Sequence, residues 1–216
     1  MIAETRKIRL LMELRSQGIT DARVLSAIER TPRDLFVADG MQDQAYENTA
    51  LPIGLGQTIS QPIVVAMMTQ RLDVGDRMRV LEVGTGSGYQ AAILSHLCRR
   101  VYTIERHRDL LRLAEEKFKQ LGLDNITTRW GDGAKGWPEQ APFDRIIVTA
   151  AATALPQDLV DQLKDDGLMI VPIGQDTWDQ RLLAVRRTGD TIATEAFMDV
   201  RFVPLVEGRG DERPRE

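Results

Sequence analysis

The sequence predicts an α/β fold: a single doubly wound, mostly parallel Rossmann-like sheet with helices on both faces, N-terminal helices and a C-terminal antiparallel strand pair. Two observations predict it. From Met78 onward, short β-branched and apolar runs alternate with longer helix-forming runs, the order that βαβ units require. The first such run ends in a glycine-rich turn, Gly84-Thr85-Gly86-Ser87-Gly88, at the strand-to-helix junction where open α/β sheets bind ligands.

Each element has its own signal. Residues 4–17 place Ile8, Leu11, Met12 and Leu14 at helical spacing, with Gly18 as the stop. A second helix runs from Asp21 to about Arg30, with Val24, Leu25 and Ile28 on one face and Thr20 or Asp21 as N-cap; Pro32 follows as a break. Residues 38–61 contain Gly40, Pro52, Gly54 and Gly56 and read as one long loop, which in a compact domain points to function. Helix resumes over 62–73, with Pro62 in its first turn and Ser60 as a possible cap. Strands are expected at 78–83, 100–105, 126–130, 143–149 and 167–173, with helices at 88–98, 107–121 and 156–164 between them. Two further strands, 181–187 and 191–202, pair through the Gly189-Asp190 turn. One domain over 1–207 is expected, with N-terminal helices and substrate loop in 1–61, the Rossmann-like core in 62–207, and a disordered charged tail at 208–216.

Composition narrows the function classes. With 43% hydrophobic residues the chain can bury a core, so global disorder is not the reading. The 28 basic and 32 acidic residues leave a net charge of −4, which argues against nucleic acid as a partner. One cysteine (Cys98) and two histidines (His96, His107) are too few for a structural zinc site, so no metal is expected. No apolar run is long enough to span a membrane, and the first residues lack a signal-peptide pattern, so a soluble, cytoplasmic, monomeric protein is expected.

The glycine-rich turn has the spacing Gly84-x-Gly86-x-Gly88, and Tyr89 stands where the dinucleotide fingerprint needs its last glycine. Glu82, two residues upstream, would repel a pyrophosphate and suits a cationic ligand instead. This turn resembles the first motif of class I methyltransferases, and the resemblance implies S-adenosyl-L-methionine as cofactor and S-adenosyl-L-homocysteine as product. Two further acids stand where such a cofactor needs them: Glu105, which ends the second strand of the series, to accept two ribose hydroxyls, and Asp132, in Gly131-Asp132-Gly133, to accept from the adenine amino group. The expected cofactor-binding set is Glu82, Gly84, Thr85, Gly86, Gly88, Glu105, Arg106, Asp132 and Gly133. Trp130 and Trp137 are packing residues or part of the adenine side.

The segment Leu51-Pro52-Ile53-Gly54-Leu55-Gly56-Gln57-Thr58-Ile59-Ser60-Gln61-Pro62 makes the resemblance specific. With Thr31–Val37, Gly131–Gly133, Ala141–Ala151 and Arg201–Leu205, it resembles the protein-L-isoaspartate O-methyltransferase family over about residues 5–207. The resemblance implies methyl transfer to the free carboxylate of L-isoaspartyl residues in damaged peptides and proteins. The ester then collapses to a succinimide, which can reopen to normal aspartate. It assigns Ser60 the active-site role, as an orienting group rather than a nucleophile, and places Thr58, Ile59, Val203 and Leu205 against the peptide. A carboxylate with a pKa near ~4 is already ionised at neutral pH, so no strong base is needed. Amino-methylating nucleic-acid enzymes carry an Asp/Asn-Pro-Pro-aromatic run after the fourth strand; here that position reads Thr149-Ala150-Ala151-Ala152. A non-catalytic adaptor that binds the cofactor is the rival from another class.

Overall fold

The computed structural model describes residues 2–176 and 178–210. Its centre is a seven-stranded sheet formed by β3 (Arg79–Val83), β4 (Arg100–Glu105), β5 (Ile126–Trp130), β6 (Phe143–Val148), β7 (Leu163–Ile173), β8 (Gln180–Thr188) and β9 (Thr191–Val200). The strand order is β5-β4-β3-β6-β7-β8-β9. The first five strands of that order are parallel, and β8 runs antiparallel to both of its neighbours. The chain reverses its direction of travel across the sheet between β3 and its neighbours β4 and β6, so the carboxyl end of β3 is the switch point where such sheets bind ligands.

Side-chain alternation feeds two cores. On β3 Leu81 and Val83 join one cluster and Val80 the other; on β6 Ile146 and Val148 part from Ile147, and on β7 Met169 and Val171 part from Ile170. Both faces are covered, which is why these strands read as nearly continuous apolar runs. One cluster holds the N-terminal helices α1 (Ile2–Ser16) and α2 (Ala22–Arg30) together with α3 (Pro62–Leu72) and α4 (Tyr89–Ser95). Asp21 caps α2 by accepting the Arg23 N–H at 2.8 Å, and α2 buries Val24, Leu25, Ala27 and Ile28. In α5 (Arg108–Gln120) the buried residues are Leu110, Leu111, Ala114 and Phe118.

Four sequence expectations are corrected. On α1 the buried pair is Leu10 and Leu14, while Ile8 and Met12 face outward, 50% and 65% exposed. The expected loop 38–61 contains a hairpin, β1 (Leu51–Gly54) and β2 (Gln57–Ile59), paired Leu51↔Ile59 and turned through Gly54-Leu55-Gly56. With two glycines and a proline in so few residues, the segment gave no readable alternation. The helix expected at 156–164 shrinks to α6 (Gln157–Val160), because β7 begins at Leu163 and bulges before Leu168 pairs with Arg145. The tail expected to be disordered from 208 is docked at its start: the Gly210 N–H donates to the Arg106 carbonyl at 2.9 Å, and Arg209 stacks over Trp130. Residues 211–216 lie outside the described residues. Among those described, no helix is long and apolar enough to cross a membrane, and no His, Cys, Asp or Glu cluster could hold a metal.

Candidate active site

A cleft opens at the carboxyl end of β3. Its floor is the Gly84–Ser87 turn with Val83, Ile104 and Glu105; its roof is Gln57–Ser60, delivered by β2, and the chain from Phe202 to Val206. The physical reason for the glycines divides. A Cβ on Gly84 would lie 2.3 Å from Thr149 Oγ1, and one on Gly88 would lie 2.8 Å from the Phe118 ring. Both residues also hold positive φ, so the protein's own packing requires glycine at these positions. The backbone of Gly86 faces the cleft, and its N–H donates to Glu105 Oε2 at 2.8 Å.

Glu105 sits at the end of β4, only 5% exposed, and its second oxygen accepts the His107 N–H at 2.9 Å. Two backbone donors fix the carboxylate while leaving further lone pairs toward the cleft, the donor-free arrangement a pair of ribose hydroxyls needs. Arg106 and Gly133 complete this side, and the Arg106 Nε is buried with no hydrogen-bond partner among the described residues. Asp132 is not among the residues lining this cleft; its Oδ1 caps the short turn after it, accepting the Ala134 N–H at 3.0 Å.

Glu82 is likewise not in the cleft. It lies on the Val80 face of β3, fully buried, accepting a hydrogen bond from the Thr103 hydroxyl, which in turn meets the Thr85 hydroxyl at 2.6 Å. Its Oε1 has no hydrogen-bond partner among the described residues. Burial pushes its carboxyl up to about 8, opposed by the Thr103 hydrogen bond and reinforced by the charge of Glu105. Glu82 therefore acts on the cofactor turn from behind, through Thr103 and Thr85, and not as a direct partner of a cation.

On the acceptor side Ser60 lines both this cleft and a second, open groove that also shares Thr58, Thr149, Phe202 and Val203. Ser60 does not cap α3. Gln61 holds that position, without a side-chain hydrogen bond, and the Ser60 hydroxyl makes none among the described residues. The roof strand is tied inward. Ala151 N–H donates to the Val203 carbonyl at 2.8 Å and Leu205 N–H to the Ala151 carbonyl at 2.7 Å, while the Gln180 side chain satisfies both the N–H and the carbonyl of Phe202. Val203 and Leu205 both line the cleft, with the Val203 carbonyl and the Leu205 N–H already engaged.

The structure accordingly brings together Thr58, Ile59, Ser60, Gly84, Thr85, Gly86, Glu105, Arg106, Gly133, Val203 and Leu205. Glu82, Gly88 and Asp132 are not among the lining residues. Sequence reasoning missed Tyr89, Gln90, Thr149, Ala150 and Phe202, which also line the cleft. Thr149 and Ala150 follow β6 at the same sheet edge, a position that could have flagged them. Trp130 and Trp137 are absent from the wall: Trp137 packs on Tyr102 and Trp130 donates to the Arg106 carbonyl.

A sheet of this order with a glycine turn and an acid at successive carboxyl ends defines the class of S-adenosylmethionine-dependent methyltransferases. The comparisons name the family within it. The family profile of protein-L-isoaspartate(D-aspartate) O-methyltransferase matches residues 5–210. The protein-L-isoaspartate O-methyltransferase of Paramagnetospirillum magneticum is 63% identical over 211 residues, 97% of this chain and 99% of the relative. That of Rhodospirillum centenum is 59% identical over 216 residues, 100% of this chain and 98% of the relative. A solved protein-L-isoaspartate O-methyltransferase superposes with a TM-score of 0.83 at 27% identity, covering 92% of this chain and 65% of that longer one. A Plasmodium falciparum protein assigned the same activity, crystallised with S-adenosyl-L-homocysteine, gives a TM-score of 0.80 at 28% identity, over 92% of this chain and 97% of the other. The chain belongs to the protein-L-isoaspartate(D-aspartate) O-methyltransferase family.

Proposed function

We propose that this chain repairs damaged proteins by transferring the methyl group of S-adenosylmethionine to the side-chain-like free carboxylate of L-isoaspartyl residues. The observation that carries the reading is the meeting of two sites at one point. The Glu105–Gly86 cofactor cleft and the peptide-accessible groove join at Thr58, Ser60, Thr149, Phe202 and Val203. The residues present fit the cofactor: a fixed carboxylate with spare lone pairs, a close-approach glycine turn, and an apolar wall from Val83, Ile104 and Met68.

When bound, S-adenosylmethionine supplies an electrophilic methyl carbon on a sulfonium sulfur. A carboxylate oxygen forms the new O–CH3 bond as the S–CH3 bond breaks, and the electron pair stays on sulfur. An anion and a cation thus become two neutral groups, a change favoured where water is excluded and the surroundings are apolar. Ile59, Tyr89, Phe202 and Leu205 supply those surroundings. Ser60, with a hydroxyl free of internal partners, orients the acceptor carboxylate without binding it so tightly that attack slows. Glu105 and Arg106 hold the ribose side, and Asp132 keeps the Gly133 turn in place. Ile59, Val203 and Leu205 position the peptide. Its substrates are isoaspartyl peptides and proteins. We read it as a cytoplasmic monomer with no membrane partner and no nucleic acid partner, the last of which the net charge of −4 supports.

Labelled S-adenosylmethionine offered with an L-isoaspartyl peptide and its normal L-aspartyl twin tests the reading. The first should accept base-labile methyl groups and the second almost none. Equal labelling of the two peptides would overturn it.

A further inference from the structure

The Thr31–Val37 segment enters none of the roles above, yet it carries the largest fully buried side chain in the described molecule, Arg33, which is 0% exposed. A buried guanidinium is normally paired with a carboxylate, because an uncompensated charge away from water is strongly unfavourable. Among the described residues no carboxylate pairs with Arg33. Its Nε donates to the Ala45 carbonyl at 2.8 Å, and its Nη2 donates to the Ser60 carbonyl at 2.8 Å and more weakly to that of Thr49. Its Nη1 has no hydrogen-bond partner among the described residues. The guanidinium stands 4.8 Å from the centroid of the Tyr89 ring, which also packs edge-on with Phe36. Burial lowers its pKa, partly offset by Tyr89, but an arginine stays charged. Two of the groups it touches, Ser60 and Tyr89, line the reaction cleft.

We propose that Arg33 is a positioning residue of the acceptor site. It pins the Ser60 end of the β1–β2 hairpin to Tyr89, and its unpaired positive charge makes this end of the cleft selective for an acceptor that arrives as an anion. The carbonyls of Ala45, Thr49 and Ser60 carry only partial charges, so they orient the guanidinium without neutralising it. An acceptor carboxylate entering at Ser60 provides the missing counter-charge across one residue. The charge serves docking more than chemistry, because the carboxylate loses its charge as the ester forms. This inference rests on the acceptor reading above, and wild-type methylation of the isoaspartyl peptide establishes that reading separately.

The test compares wild type with Arg33→Met and Arg33→Lys. For each, KM and kcat are measured with the isoaspartyl peptide, Kd with S-adenosylmethionine, and the inhibition constant with the same peptide carrying a neutral isoasparaginyl amide. Losing a charged anchor of this kind is expected to raise the peptide KM of Arg33→Met by about tenfold to a hundredfold. Its kcat should change less, its cofactor Kd should hold within about twofold, and the preference for anion over amide should collapse. Arg33→Lys keeps the charge and loses the fork, so it should retain the anion preference while kcat falls. An unchanged peptide KM in Arg33→Met, or peptide and cofactor affinities weakened equally, would overturn the proposal. If Arg33→Met does not fold, the lysine variant decides alone: loss of its anion preference would refute the role of the charge.

Discussion

Replacing Ser60 with alanine removes a hydroxyl that the folded protein does not otherwise use. Gln61, not Ser60, stands at the N-cap of α3, and the Ser60 hydroxyl has no internal hydrogen bond, so no cap of about 1 kcal/mol is lost. The half-buried site should therefore lose no more than about 0.5 kcal/mol of stability, a typical figure for substitutions that break no named interaction. Deleting one preorganised donor at a reacting centre costs on the order of a hundredfold in rate. Here the loss should be smaller, about tenfold to a hundredfold, because the acceptor gives up charge as it reacts and so needs its donors less in the transition state. Glu105 and the Gly86 turn are untouched, so cofactor affinity should stay near wild type. Single-turnover methylation of an isoaspartyl peptide, with calorimetric cofactor binding and thermal melting on the same preparation, separates these quantities. Ser60→Thr restores the hydroxyl and adds a methyl to the cleft, so it should recover part of the rate. A wild-type rate in Ser60→Ala would refute the reasoning, and a rate loss matched by an equal loss of cofactor affinity would assign Ser60 to the wrong half of the site.

The acids give two further predictions. Glu105→Ala removes the acceptor for the Gly86 and His107 N–H groups as well as for the ribose, so cofactor affinity should fall about tenfold to a hundredfold, read by calorimetry. Unchanged affinity in a folded variant would make Glu105 a structural strand-end residue. Glu82 is pushed from 4.5 up to about 8 by burial, so between these values the unfolded chain gives up a proton that the native protein keeps. Its contribution is fully present below pH ~4.5 and is lost as pH rises toward ~8, amounting to about 3 kcal/mol by pH 7. Glu82→Gln should flatten that decline in urea titrations from pH 5 to 9 while leaving cofactor affinity within a few-fold; parallel pH profiles for variant and wild type would show that Glu82 ionises normally in the fold.

The βαβ order, the glycine turn and Glu105 are legible in the chain because they rest on local rules. Period and length separate strand from helix, glycine marks backbone that a Cβ would block, and a charged residue at a strand end falls at a known edge of the sheet. Ser60, Thr58 and Ile59 were legible only through the family likeness of their segment, since its glycines and prolines hide the hairpin that carries them. Which acids face the ligand was decided by tertiary structure alone. Glu82 and Glu105 look equivalent as strand-end carboxylates, but pleat alternation sends Glu82 into the core beside Thr103, whereas Glu105 is the last residue of its strand and turns to the Gly86 N–H. Asp132 caps its own turn through one oxygen. The same limit hid Arg33: in sequence it is one arginine among many, and only packing from four segments shows that it lies buried, without an acid, against the carbonyl of Ser60. A side chain's partners across the fold depend on loop closure and face registration, which no window of neighbouring residues contains.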